Sequence, residues 1–205
     1  TDSGVNAMSD KQLAAMMEAD DSYAGSATYT KLESVIQELF QKEYFLPVHQ
    51  GRAAESILAQ VLVSPGSIVP MNYHFTTTKA HIEVRGGRVE EIIKDEGLVI
   101  SSDLPFKGDM DTRKLEEIIA REGTDKIAFV RIEAGTNLIG GQPVSLENMM
   151  EVSRICKAHG ILSVMDASLL ADNLYFIHER EESCKDLSIQ EINQNEDVFS
   201  YNARV

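Results

Sequence analysis

Asp166 closes the run Ile161-Leu162-Ser163-Val164-Met165-Asp166, with Ala167-Ser168 behind it. A short apolar run ending in a carboxylate, after a helix stopped by His159-Gly160, reads as a buried parallel strand that delivers Asp166 at its carboxyl end. Open α/β sheets bind ligands at that edge. A carboxylate there can hold a metal, cap the next helix, or keep the ring nitrogen of a pyridoxal phosphate protonated. For an isolated Asp the helix cap is the ordinary reading. His49-Gln50-Gly51-Arg52 runs straight into Ala53, Ala54, Ile57, Leu58, Val61 and Leu62, a helical pattern. A Gly just ahead of a helix lets an anion reach free backbone N–H groups, and Gln50 and Arg52 can add donors. Phosphate suits such a cradle, although an ordinary strand-to-helix turn looks the same. Phe75 is either core or a face on which a planar ring stacks.

These residues need elements to position them. Ser9 opens a capping box before a helix to about Ala19, and Leu32, Val35, Ile36, Leu39 and Phe40 predict a second helix over Tyr29 to Lys42. Tyr44 to Val48 reads as a short strand, followed by the helix after Gly51. Ser67 to Pro70 is a strand, turning through Asn72-Tyr73-His74-Phe75 into a helix to about Val84. Arg88 to Lys94 alternates as a strand. Asp111 caps a helix bearing Leu115, Ile118 and Ile119, which Gly123 ends. Ile127 to Ile132 is a buried strand. The polar, glycine-rich stretch Glu133 to Pro143, with Asn137 in it, is a loop at that strand's functional end. Ser145 caps the helix leading to the Asp166 strand, completing a βαβ unit. A helix over Leu169 to Glu181, a short one near Ser188 to Asn193, and a strand-like run Val198 to Tyr201 follow. The pattern is α/β, read as one domain over residues 1–205.

Composition narrows the function. A net charge of -14 with 19 scattered basic residues opposes binding to nucleic acid or anionic membranes. No apolar run approaches a membrane span and no signal peptide is visible. Cys156 and Cys184 have no metal spacing, Cys156 reads as a core thiol, and a reducing cytoplasm fits. The chain begins at Thr1, so it is expected to be processed or to be a piece of something longer.

Taken together, several motifs resemble the aromatic amino-acid β-eliminating lyases, the family of tryptophanase and tyrosine phenol-lyase. They are Tyr23-Ala24-Gly25-Ser26, His49-Gln50-Gly51-Arg52, Phe75-Thr76-Thr77-Thr78, Asn137 with Gly140-Gly141-Gln142-Pro143-Val144-Ser145, and Asp166 followed by Asn173-Leu174-Tyr175-Phe176-Ile177. The resemblance runs from Thr1 to about Tyr201. It implies the large domain of the aspartate-aminotransferase-like fold of pyridoxal-phosphate enzymes, a mostly parallel sheet flanked by helices, without the C-terminal small domain. It further implies that Gln50, Gly51 and Arg52 hold the cofactor phosphate, Phe75 stacks on the pyridine ring, Asn137 donates to the ring hydroxyl and Asp166 pairs with the ring nitrogen. Tyr23 matches a general acid toward the leaving aromatic carbon. Thr1, Ser3 and Thr76 match substrate-binding positions, and Gly4 and Asp21 fall where the family holds a monovalent cation such as K+. The implied substrate is an amino acid, and the implied assembly is a homo-oligomer, a dimer or tetramer, whose neighbouring chain helps shape Thr1 to Ser26.

Two departures from the family pattern stand out. Its Arg three positions after the aspartate is Leu169 here, which cannot donate a hydrogen bond. The family's Schiff-base Lys follows the Phe-Ser-Tyr segment by several residues, and this sequence ends at Phe199-Ser200-Tyr201-Asn202-Ala203-Arg204-Val205. The expectation is therefore a lyase by family, truncated and inactive as a lone chain. The alternative is a non-catalytic remnant acting as a binding or interaction protein.

Overall fold

The structure, a computed structural model, describes residues 8–22 and 25–195, and the backbone of 202–204. The chain divides into two compact units, Thr1–Pro47 and Val48–Val205.

In the first unit, helix α1 spans Asp10–Glu18 and α2 spans Ala27–Phe40. Ser9 and Gln12 form the expected capping box: Gln12 N–H donates to Ser9 Oγ at 3.1 Å, and Ser9 N–H to Gln12 Oε1 at 2.8 Å. Asp20 accepts from the backbone of Ala27 and Thr28 at 2.8 and 2.9 Å, reinforcing the Ser26 cap of α2. Bonds from Thr28 and Ala27 hold the Asp20 carboxyl down at about 2. Neither helix buries a residue. The strand expected over Tyr44 to Val48 does not form: Tyr44 is 85% exposed and Leu46 71%. A strand needs a ladder partner, and this run, with Pro47 lacking an N–H, has none.

The second unit is a parallel sheet with crossover helices. Its elements in order are α3 (Gly51–Leu62), β1 (Ile68–Met71), α4 (Thr76–Val84), β2 (Arg88–Glu91), α5 (Thr112–Glu122), β3 (Val130–Glu133), α6 (Leu146–His159), β4 (Ser163–Asp166), α7 (Leu170–Arg180), α8 (Ile189–Asn193) and β5 (Asn202–Arg204). The five strands lie in the order β2-β1-β3-β4-β5, every pair parallel. The expected strand Val198 to Tyr201 lies outside the described residues. Strands β1, β3 and β4 are buried at every position, as a parallel sheet covered on both faces requires. Asp111 caps α5 by accepting from Lys114 N–H, and Gly123 ends it.

From β1 the chain steps outward to β2, then returns past β1 to lay down β3 and β4. The direction of winding reverses between β1 and β3, and a crevice opens outside the carboxyl ends of strands at such a point. Successive side chains alternate faces along a strand. Val69, Met71, Phe129 and Val164 therefore share one face, where Ala59 and Val63 near the end of α3 and Ile82 of α4 cover them. Burying each of the larger side chains is worth about 1.5–3 kcal/mol. The same parity carries Arg131, Glu133 and Asp166 onto this face, at its carboxyl end.

Candidate active site

β3 and β4 are in register with Glu133 opposite Asp166. Arg131 lies two residues back on the same face, so two carboxylates and one guanidinium meet at the strand ends. Arg131 Nη2 donates to Asp166 Oδ2 at 2.5 Å and Nη1 to Glu133 Oε2 at 3.4 Å, with a further bond to the Tyr73 carbonyl at 3.3 Å. The Arg131 side chain is 3% exposed and those of Glu133 and Asp166 are 5% and 11%. Asp166 Oδ1 accepts from Ser168 N–H at 3.0 Å and Ser168 Oγ at 2.5 Å. Asp166 is thus both the strand-end carboxylate and the acceptor that shapes the turn into α7. Burial, with the nearby charge of Asp166 adding to it, pushes the Glu133 carboxyl up to about 7 against the pull of Arg131.

The N-terminus of α3 returns to this edge because α3 runs antiparallel to β1, to which it is joined by a short turn. Glu55, one turn into α3 and 9% exposed, accepts from Thr77 Oγ1 at 2.5 Å and from Thr78 Oγ1. The first turns of α3 and α4 are therefore tied together. A cavity of about 10 Å³, room for one water, lies between Glu55, Thr78, Arg131 and Asp166.

Buried asparagines fix the loops around the crevice. Asn72 Nδ2 donates to the carbonyls of Gly108 and Glu133 and to Thr136 Oγ1, at 3.0–3.2 Å, while its Oδ1 accepts from Glu133 N–H at 3.0 Å. Asn173 Oδ1 accepts from Gly135 N–H at 2.9 Å and Val144 N–H at 2.8 Å, closing the glycine-rich loop at both ends. Gly135 has φ +74°, and a Cβ there would meet Leu169 Cβ at 2.7 Å. Loop and α7 fit together only because that side chain is missing.

Similarity to known proteins agrees with this geometry. The family described as Beta-eliminating lyase matches residues 1–202. The chain belongs to the beta-eliminating lyase family. A tyrosine phenol-lyase of Fusobacterium nucleatum is 46% identical over 201 residues, covering 98% of this chain and 43% of that protein. The chain thus spans less than half the length of that curated relative. A structure from Listeria monocytogenes EGD-E named for an L-allo-threonine aldolase superposes with TM-score 0.60 at 16% identity, over 93% of this chain and 50% of that one. Aspartate aminotransferase of Thermotoga maritima gives 0.51 at 14% identity, over 67% and 35%. The fold is that of the large domain of aspartate-aminotransferase-like enzymes.

Within the family frame, the residues expected at the site fall as follows. Gln50 is the N-cap of α3 and forms no side-chain cap bond; it, Gly51 and Arg52 are exposed, with open space where a Gly51 Cβ would stand. Phe75 is the half-buried N-cap of α4, and Thr76, exposed, begins that helix. Asn137 begins a short 3-10 turn in the loop after β3, and its N–H donates to Glu133 Oε1 at 3.3 Å. Topology brings these and Asp166 to one edge of the sheet. Asp21 is exposed in the first unit, and among the described residues no cluster of His, Cys, Asp or Glu fit for a metal forms. Thr1, Ser3, Gly4 and Tyr23 lie outside the described residues. Cys156 is a buried thiol pushed up to about 12 by burial.

Sequence reasoning missed Arg131, Glu133 and Glu55. The available signal was two charges at alternate positions in Val130-Arg131-Ile132-Glu133, against the near-continuous apolar run expected of a buried parallel strand.

Proposed function

We propose that this chain forms the cofactor-holding part of a pyridoxal-phosphate-dependent lyase that splits the aromatic group from an aromatic amino acid, leaving pyruvate and ammonia. The observation that carries the reading is Asp166: a buried carboxylate at a strand end, fixed on both oxygens, beside the crevice where the winding reverses. Family membership and the relatedness to tyrosine phenol-lyases support it. The residues present fit the cofactor. The α3 N-terminus has no side-chain cap and has room at Gly51, as an incoming phosphate requires. Asp166 Oδ2, which accepts only from Arg131, keeps a lone pair for a further donor.

In this reading Gln50, Gly51 and Arg52 bind the phosphate, Phe75 stacks on the ring, Asn137 donates to the ring hydroxyl and Asp166 keeps the ring nitrogen protonated. Bound there, pyridoxal phosphate withdraws electrons from the substrate Cα, which is what allows a proton and then a β-substituent to leave. Tyr23 delivers a proton to the departing aromatic carbon, Thr1, Ser3 and Thr76 orient the amino acid, and Gly4 and Asp21 contribute to a K+ site. The protein works in the cytoplasm as a homo-oligomer, a reading supported by the exposed apolar stripe of α2. Among the described residues no helix is long and apolar enough to cross a membrane.

The test is to titrate pyridoxal phosphate into the purified protein by quenching of tyrosine emission, and to assay pyruvate from tyrosine and tryptophan. Asp166→Ala is expected to weaken binding about tenfold or more, as loss of a charge-assisted bond does. Equal binding by Asp166→Ala would sink the assignment. Leu169, which offers no donor, favours a second reading in which the site binds cofactor without turnover; binding with no pyruvate from either substrate would select it.

A further inference from the structure

We propose that Arg131 is the positioning residue for Asp166, fixing the carboxylate from the neighbouring strand so that its free lone pair meets the N–H of a ring nitrogen arriving there. This rests on the cofactor reading above and assigns a role to a residue outside the family's motif positions.

The first argument is cost. A guanidinium that is 3% exposed has given up its hydration, and its partners are two carboxylates and one carbonyl. Buried ion pairs are weak contributors to stability, and apolar side chains of similar volume often do as well or better. The adjoining positions on this face are Phe129 and Val164, both apolar, so the fold alone would be served by one more such residue. A buried Arg makes sense if the carboxylate it holds has work that an apolar pair cannot do.

The second argument is direction. Asp166 is gripped from two sides, by Arg131 on Oδ2 and by the Ser168 backbone and hydroxyl on Oδ1. That fixes the plane of the carboxylate. Arg131 makes the only ion pair to Asp166 among the described residues. The start of α7 cannot offer another cation at Leu169, whose Cβ and backbone lie against Gly135. With Oδ1 filled by Ser168 and one site of Oδ2 filled by Arg131, the remaining lone pair of Oδ2 has a set direction, and a ring N–H arriving along it meets an acceptor already in place. Glu133 accepts from the other arm of the guanidinium at 3.4 Å, a contact that a glutamine carbonyl in its place can keep.

The test compares binding of pyridoxal phosphate with that of its deaza analogue, in which carbon replaces the ring nitrogen. The proteins are the unmodified one, Arg131→Met, Arg131→Met/Glu133→Gln and Glu133→Gln. The double variant also removes the Glu133 carboxylate, leaving Asp166 as the one buried charge of the trio, and is used if Arg131→Met fails to fold. The unmodified protein and Glu133→Gln are expected to prefer the nitrogen cofactor by about tenfold or more, and the Arg131 variants by less than about threefold, with affinity for the deaza analogue kept within about twofold. A merely structural role would weaken both ligands alike. Folded Arg131 variants that keep the full preference would overturn this inference alone. An unmodified protein that binds both ligands equally would overturn the cofactor reading, and this inference with it.

Discussion

Helices α2 and α5 carry the same kind of message and meet opposite fates. In α2, Leu32, Val35 and Leu39 recur at helical spacing, as Leu115, Ile118 and Ile119 do in α5. In α5 those side chains are 0%, 3% and 5% exposed; in α2 they are 47%, 43% and 39% exposed. Both helices have Ser or Asp caps with the expected bonds. Periodicity thus reports which face of a helix is apolar and says nothing of what covers it. For α5 the cover is supplied within its own unit. For α2 no such cover comes from the described residues of its own unit, and its local structure rests on capping and propensity, which leave short helices marginal in water.

The largest expected effect puts that contrast at risk. Leu115→Ala is expected to cost about 2–5 kcal/mol in urea unfolding, while Leu32→Ala, already half in water, should cost less than about 1 kcal/mol. Comparable losses that grow with protein concentration would show that a second copy covers α2 in solution, as the homo-oligomer reading holds.

A second contrast is electrostatic. Glu133 is buried and held at about 7, whereas Asp20 is exposed and held at about 2. The folded state binds the Glu133 proton more tightly than the unfolded chain does. Its favourable contribution is therefore complete below the ordinary value of 4.5 and is lost as pH rises through about 7, a span worth roughly 3 kcal/mol. Asp20 has the reverse sign: its contribution is present above 3.8 and is lost as pH falls through about 2. Denaturant melts from pH 4 to 8 should show stability declining between the ordinary value of 4.5 and about 7, and Glu133→Gln should flatten that decline. A variant with an unchanged slope would remove Glu133 as its cause.

The smallest effect compares caps. Ser145, 7% exposed, accepts from Asn148 N–H at the buried start of α6, and Ser9 does the same for Gln12 at the exposed start of α1. Ser145→Ala is expected to cost about 1–2 kcal/mol and Ser9→Ala about 0.5 kcal/mol, by thermal melts. Equal losses would mean that burial adds nothing to a cap here.

Most elements were legible where the signal is local. Asp111 to Gly123 is a cap, a stripe and a stop, and all three are where spacing puts them. Asp166 reads as a strand end for the same reason. The strand order was not legible, because the return from β2 past β1 leaves no mark on neighbouring residues. Tyr44 to Val48 misled because a short apolar run suggests a strand without supplying a partner. Arg131 was hidden because its meaning comes from β4: only the register that sets Glu133 opposite Asp166 makes a charge in β3 useful.

Asn72 carries a consequence for the time course of folding. Its side chain joins positions 36, 61 and 64 residues away, at Gly108, Glu133 and Thr136. The full set of those bonds needs β1, β3 and the loop before α5 to have arrived together, and closing such long loops is expected late on the way to the native state. Contacts absent from the transition state act on escape rather than on entry. Asn72 is therefore a latch, setting how long the finished crevice stays shut against unfolding while leaving the pace of its assembly to the helices and strands beneath it.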